Sequence, residues 1–161
     1  MTYTCTLNTQ AGDMRAAAEN DALTGLWFVG QKHYPIYPID RAEWTDQPDH
    51  PVFVMLREWL SEYFCGNIPA YSVKLAPKGT DFQKSVWDAL ADIPYGQTVS
   101  YKDIADRVSC LSPRAVGGAV GRNPISILIP CHRVIGSGGG LTGYAGGTDK
   151  KAALLKIEGR S

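Results

Sequence analysis

The chain opens on three short apolar runs, Tyr3 to Leu7, Met14 to Ala18 and Leu23 to Val29. The turn-forming stretches Ala11-Gly12-Asp13 and Asn20-Asp21 divide them, and this predicts an antiparallel meander. Gln31 to Pro51 follows with Pro35, Pro38, Pro48 and Pro51 and no sustained period, which reads as a long surface loop. The pattern then becomes helical, with Phe53, Leu56, Leu60 and Phe64 on one face of a helix over Val52 to Phe64 and Gly66 behind it as C-cap. Tyr71 to Leu75 alternates like one more strand, and Pro77-Lys78-Gly79 reads as a linker.

Past the linker the period stays helical. Thr80 or Asp81 can cap a helix that turns Phe82, Val86, Leu90 and Ile93 inward and stops at Pro94 and Gly96. Ser100 caps a short helix with Ile104, Ala105 and Val108 on one face. Ser112 at the cap and Pro113 at the first position open another, running through Arg114 to Val120. Two short helices so joined are a helix-turn-helix candidate, although many such pairs bind nothing. Ile125 to Ile129 reads as a strand leading into Pro130-Cys131-His132-Arg133-Val134, then a Gly-rich loop. A last helix, Lys150 to Ile157, carries Glu158 near its end. The expected fold is α+β in two domains, 1–78 with an antiparallel sheet and 79–161 mostly helical.

Composition narrows the classes. With 161 residues, 44% hydrophobic and 20% charged, the chain suits a packed globular protein and excludes disorder, collagen-like repeats and coiled coil. No apolar run approaches the roughly 20 residues that span a bilayer, and the N-terminus lacks the basic and apolar regions of a signal peptide. A cytoplasmic protein without membrane contact is expected. The 16 basic and 16 acidic residues cancel, which argues against a uniformly cationic nucleic-acid binder. The cancellation is uneven, however. Residues 1–93 carry 7 basic and 12 acidic side chains, and 94–161 carry 9 and 4. The second half is the one suited to an anionic partner.

Cys5, Cys65, Cys110 and Cys131 are far apart and form no C-x-x-C pair, so neither a disulfide framework nor a structural zinc is expected. Cys131 is the one with a chemical neighbourhood. Apolar Ile127-Leu128-Ile129 precedes it, and His132 can take a thiol proton. An acid would then orient the imidazole. Among Asp103, Asp106, Asp149 and Glu158, the last adjoins the apolar segment Ala152 to Ile157 and is the inward candidate. The plainer reading is a buried Cys beside a surface His, since adjacency alone does not set a ring against a sulfur. The helix interior Gly117-Gly118 is likewise open to two readings. Each glycine costs about 1 kcal/mol there relative to Ala, so either an outside surface or the protein's own core must approach closely.

Pro130-Cys131-His132-Arg133-Val134, with Asn123-Pro124-Ile125 before it and Gly143-Tyr144-Ala145-Gly146-Gly147 after it, resembles the methylated-DNA–protein-cysteine methyltransferases, the O6-alkylguanine-DNA alkyltransferases. Phe82-Gln83, Val86-Trp87, Ile93-Pro94-Tyr95-Gly96, Ser100-Tyr101, Arg114-Ala115-Val116-Gly117 and Leu154-Leu155 with Glu158-Gly159 extend the resemblance over Gly79 to Gly159. It implies a ribonuclease H-like first domain and a winged helix-turn-helix-like second domain. Cys131 would accept the alkyl group from O6 of guanine, or from O4-methylthymine, once and irreversibly. His132 would deprotonate Cys131 through a water, and Glu158 would fix the tautomer. Tyr101 would donate toward N3 of the departing guanine. The Cys131 and Val134 carbonyls would select guanine, and Tyr144, Ala145 and Gly146 would wall the pocket. Many relatives have Ser at the Ala145 position.

The resemblance further implies double-stranded DNA held through its minor groove by a monomer. Arg114, Ala115, Gly117, Gly118, Val120 and Arg122 would touch the duplex, Arg114 filling the space of a flipped nucleotide. Without that partner, Arg114 is a surface Arg disfavoured by the helix dipole. Asn123 would be a hinge whose side chain ties down backbone amides. Some relatives bind zinc in the first domain. Here Cys5, His33 and His50 are too few, so no metal and no cofactor are expected. Nothing the size of the zinc-binding regulatory domain of other relatives precedes Thr2, and no transcriptional role is expected. Two competing readings are a thiol hydrolase on Cys131, His132 and Glu158, which leaves Arg114 and the glycine helix without a use, and a lesion sensor, which does not need Cys131.

Overall fold

The computed structural model describes residues 1–31, 44–70, 72–136, 144 and 146–159. Strands β1 (Thr2–Thr9), β2 (Gly12–Glu19) and β3 (Ala22–Phe28) form the expected antiparallel meander, with a register shift at Ala17/Ala18. The sheet is mixed, however. β4 (Trp44–Asp46) runs parallel to β1 on its far edge, giving the order β3-β2-β1-β4. Sequence reading placed β4 inside the proline-rich loop, because a three-residue edge strand has no period to detect. Residues 32–43 of that loop, His33 included, lie outside the described residues.

Helix α1 (Pro51–Phe64) packs on the sheet and buries Val52, Phe53, Leu56, Leu60 and Tyr63. Phe64, expected inward, is only half-buried, and Tyr63 is fully buried in its place. The strand expected at Tyr71–Leu75 is absent among the described residues. Tyr71 lies outside them, and Leu75 makes a single bridge to Leu23. The free edge of β3 is nevertheless covered. Leu23 N–H donates to Lys74 O and Ala76 N–H to Leu23 O, while farther along Leu26 N–H donates to Pro124 O and Ser126 N–H to Leu26 O. Two segments thus satisfy an edge that would otherwise expose its amides, and the second of them leads to Cys131.

Helices α2 (Asp81–Ala91), α3 (Tyr101–Arg107) and α4 (Pro113–Gly121) pack on one another, and α5 (Thr148–Ile157) follows near the C-terminus. Thr80 is the cap of α2, in a reciprocal capping box with Gln83, and Ser100 pairs with Asp103 in the same way on α3. Phe82, expected in the core, is exposed. The inward face of α2 runs through Val86, Trp87, Ala89 and Leu90 instead. Trp87 Nε1 donates to Ala119 O at 2.9 Å, which pins α2 to α4. The buried side chains before and after residue 78 form one connected core. Among the described residues, no helix is long and apolar enough to cross a membrane.

Candidate active site

Ile125 to Ile129 is not the strand its β-branched composition suggests. After the bridge of Ile125 to Leu26 the chain turns. Leu128 N–H reaches Ser126 O at 2.8 Å around Ile127, whose φ is +71°. A γ-turn with positive φ at a β-branched residue is rare and strained. Cys131 N–H then reaches Ile129 O at 2.8 Å around Pro130, at φ −81° and ψ 65°, an inverse γ-turn that suits the proline ring. Asn123 holds this folded stretch from inside. Its Oδ1 accepts from Ile125 N–H at 3.0 Å, and its Nδ2 donates to Ile125 O and, at 2.7 Å, to Ile129 O. Cys131 to Arg133 form one turn of 3-10 helix, and β6 (Val134–Ile135) pairs in parallel with β5 (Val99–Ser100). That short ladder sets Tyr101, at the start of α3, beside the Cys131 turn.

Cys131 is buried, and burial pushes its thiol up to about 11 against the opposing pull of the Asn123 side chain and the Lys151 charge. The resting sulfur is therefore protonated and must lose its proton in any reaction. His132 is wholly buried and burial holds its pKa below the ordinary value, so it stands neutral. Its Nε2 lies 2.5 Å from Glu158 Oε2, which makes Nε2 the protonated nitrogen and Nδ1 the lone pair. Nδ1 has no hydrogen-bond partner among the described residues.

Glu158 collects five donors. Oε1 accepts from Arg133 Nε at 2.8 Å and Gly96 N–H at 3.1 Å, while Oε2 accepts from His132, from Arg133 Nη2 at 3.1 Å and from the Tyr63 hydroxyl at 2.5 Å. Burial alone would raise its pKa, but the hydrogen bonds from His132 and Arg133 outweigh burial and hold it at about 2. Arg133 is consequently not a surface cation. Its guanidinium is spent on Glu158 and on Ile93 O at 2.7 Å.

The remaining candidates divide by exposure. Tyr101 is half-buried, its phenol pushed up by burial and by proximity to Cys131. Val134 is fully buried, and its N–H donates to Cys131 O. Tyr144 is buried beside Cys131, and burial, ahead of the nearby Cys131, pushes its phenol well up against the opposing effect of the Ser126 side chain. Gly146 adjoins it so closely that a methyl group there would stand 2.8 Å from the Tyr144 ring and 3.0 Å from Phe28. Ala145 and residues 137–143 of the glycine-rich loop lie outside the described residues.

Arg114 and Ala115 on α4, and Arg122 at its C-cap, are exposed. A methyl group added at Gly117 would meet nothing within 4 Å, and at Gly118 only Arg122 Nη1 at 3.7 Å. Packing against the protein's own core therefore does not explain the two glycines. Val120 must be corrected, since it is buried with Val116 and Ala119 on the inward face and its side chain cannot meet a partner. Of the zinc candidates, Cys5 is buried in the sheet and His50 caps α1.

Two residues of the site escaped sequence reading. Lys151 is fully buried, and its charge acts on Cys131. Its position shares the spacing of Leu154 and Glu158 on one helix face, which was the available signal. Tyr63 continues the run Phe53, Leu56, Leu60, but nothing local links it to a residue 95 positions away.

Residues 81–160 match the family model of the 6-O-methylguanine DNA methyltransferase DNA-binding domain. A methylated-DNA–protein-cysteine methyltransferase of Mycobacterium bovis is 44% identical over 154 residues, covering 95% of this chain and 90% of that one. One from Methanosarcina barkeri is 49% identical over 151 residues, covering 91% and 90%. Among solved structures, Mycobacterium tuberculosis O6-methylguanine methyltransferase superposes with a TM-score of 0.87 at 42% identity, covering 100% of this chain and 95% of that one. The Mycobacterium tuberculosis OGT in complex with DNA gives 0.86 at 42% identity, covering 97% and 92%. Similarity at this level over nearly the whole length of both partners means that the chain belongs to the methylated-DNA–protein-cysteine methyltransferase family.

Proposed function

We propose that this protein repairs DNA by moving the alkyl group of O6-methylguanine, and of O4-methylthymine, irreversibly onto Cys131. The observation that carries the reading is the buried Cys131 turn, whose neighbour His132 is held by Glu158 with Nδ1 left as base. The Cys131 proton passes to His132 Nδ1 through a water. The sulfur then bonds to the methyl carbon as the carbon–O6 bond breaks, and the electron pair leaves with guanine. Tyr101 donates toward N3 of that anion. The Cys131 and Val134 carbonyls accept from the exocyclic amine, and Tyr144, Ala145 and Gly146 bound the pocket. A thioether has no leaving group that water can displace, so each molecule acts once.

The target methyl is inside the duplex, and the nucleotide must be flipped out. The outward face of α4, with Arg114, Ala115, Gly117, Gly118 and Arg122, suits the narrow minor groove, and Arg114 takes the vacated stacking space. Residues 79–161 act as the DNA-binding and acceptor domain, residues 1–78 as a structural domain turned away from the phosphates, and Asn123 as the hinge between helix and acceptor turn. The protein works as a cytoplasmic monomer without a cofactor.

Incubation with duplex DNA containing O6-methylguanine, followed by intact-mass measurement, tests this reading. A single methyl gained per chain and mapped to Cys131 is expected. DNA binding without mass gain would instead indicate a lesion sensor, and sustained ester or peptide turnover a hydrolase. Arg114→Ala is expected to slow transfer from duplex about tenfold, since flipping costs a few kcal/mol and tenfold is about 1.4. Transfer from a single-stranded oligonucleotide should be nearly unchanged. Equal losses on both substrates would sink the finger role.

A further inference from the structure

Helix α1 belongs to the half of the chain with no part in the chemistry so far described, yet it delivers a hydroxyl into the His132–Glu158 pair. Tyr63 is fully buried. Its ring is stacked on Trp59 at 5.5 Å and 9°, and meets Phe64, Tyr95 and His132 edge-on at 5.4, 6.1 and 6.5 Å. Those contacts fix where its oxygen sits. The oxygen lies 2.5 Å from Glu158 Oε2 and 3.4 Å from His132 Nε2. Nε2 already donates to Oε2, so the phenol proton goes to the carboxylate. Packing alone would be served by a phenyl ring, which buries no polar atom.

We propose that Tyr63 is a positioning residue of the transfer reaction: its hydroxyl shares the Glu158 oxygen that holds His132 and so limits how strongly that carboxylate attracts an imidazole proton. The inference rests on the alkyl-transfer reading, in which neutral His132 is the base. Each donor on Oε2 disperses its negative charge. With the hydroxyl removed, the carboxylate turns more fully to His132 and stabilises imidazolium. His132 then titrates at higher pH, and less of the neutral base is present at a given pH. The phenol itself does not titrate in this range, because burial and the Glu158 charge push it far up. The other groups facing the imidazole stay as they are. Besides Glu158, these are Arg133 from its own turn and Lys151 from α5, whose charges both act on the ring.

The test is the rate of methyl transfer at saturating duplex DNA between about pH 5 and 9, for the full chain and for Tyr63→Phe. The acid limb of the rate should move up by roughly one pH unit, because a hydrogen bond to a charged group carries energy of that order. DNA affinity should change less than about twofold, because α4 is untouched. A uniform loss of rate with an unmoved limb is what a merely structural tyrosine gives, and would overturn the proposal. If Tyr63→Phe does not fold, 3-fluorotyrosine at position 63 replaces it. Fluorine strengthens the hydroxyl as a donor, so the limb must then move down, and a static or upward limb overturns the proposal. Absence of transfer by the unmodified protein would instead overturn the functional reading, so the two failures are distinguishable.

Discussion

Cys131→Ser should gain no methyl group from O6-methylguanine DNA while binding that DNA as the parent does. The loss follows from the acceptor's acidity. The buried thiol sits at about 11, within reach of a histidine base during the reaction, whereas a serine hydroxyl is a far weaker acid and its neutral form a poor nucleophile toward carbon. No other thiol can substitute. Cys5 is sealed in the sheet and its own thiol is pushed up to about 11 by burial, and Cys110 and Cys65 lie outside the His132–Glu158 arrangement. Binding survives because the exposed face of α4 is built without Cys131. Intact mass and DNA affinity, measured on the same preparation, check both halves. A methyl gain in Cys131→Ser would relocate the acceptor.

Glu158→Gln should be the most damaging conservative change, for stability and rate together. Each carboxylate oxygen receives at least two donors, so the amide NH2 that replaces one of them must face N–H or O–H groups whichever way it turns. Arg133 is left buried without its counter-charge, which costs about 3–5 kcal/mol. Transfer should fall about 10³-fold, because His132 loses the partner that fixes its tautomer.

The pH dependence has a definite sign. Glu158 sits at about 2 in the folded protein against an ordinary 4.5, a difference of about 3 kcal/mol. For a depressed carboxyl that stability is fully present above its unfolded value and is lost as pH falls toward about 2. His132 adds in the same direction. It is held neutral by burial, so the unfolded chain takes a proton that the folded one refuses, and stability begins to fall below about pH 6.5. Urea unfolding from pH 7 downward should show the gap between parent and Glu158→Gln narrowing once the pH drops below about 4.5. A constant gap would mean that Glu158 is not ionised in the folded state.

Periodicity made the regular elements readable. The meander and α1 repeat their apolar positions, and Ser100, Ser112-Pro113 and Thr80 announce their helices by local cap chemistry, which depends on neighbours within three or four residues. What failed was everything shorter than a period or fixed from a distance. β4 exists because β1 offers an edge. Ile125–Ile129 has strand composition but is bent into a strained turn by Asn123 and the edge of β3. Phe82, placed inward by its spacing, turns outward, because a short amphipathic helix can be rotated by one position and still look regular, and Val120, placed at the duplex only by the resemblance, turns inward.

For the candidate site the division is equally physical. The Cys131-His132 motif, the acid at Glu158, the cationic second half and the small-residue helix were all present in the sequence, since each is a matter of residue type and spacing. Sequence could not choose between two uses for Gly117 and Gly118. The tertiary structure removes one of them, packing against the protein's own core, by leaving open space beside both. Nor could sequence tell that Arg133 and Lys151, counted among the cations suited to DNA, are internal charges. One is committed to Glu158, and the other is buried where its charge acts on Cys131. Charge and reactivity belong to residue types and can be counted along a chain, whereas burial, partner and acidity arise only where distant segments meet. Tyr63 and Glu158, 95 positions apart and in contact, are that meeting.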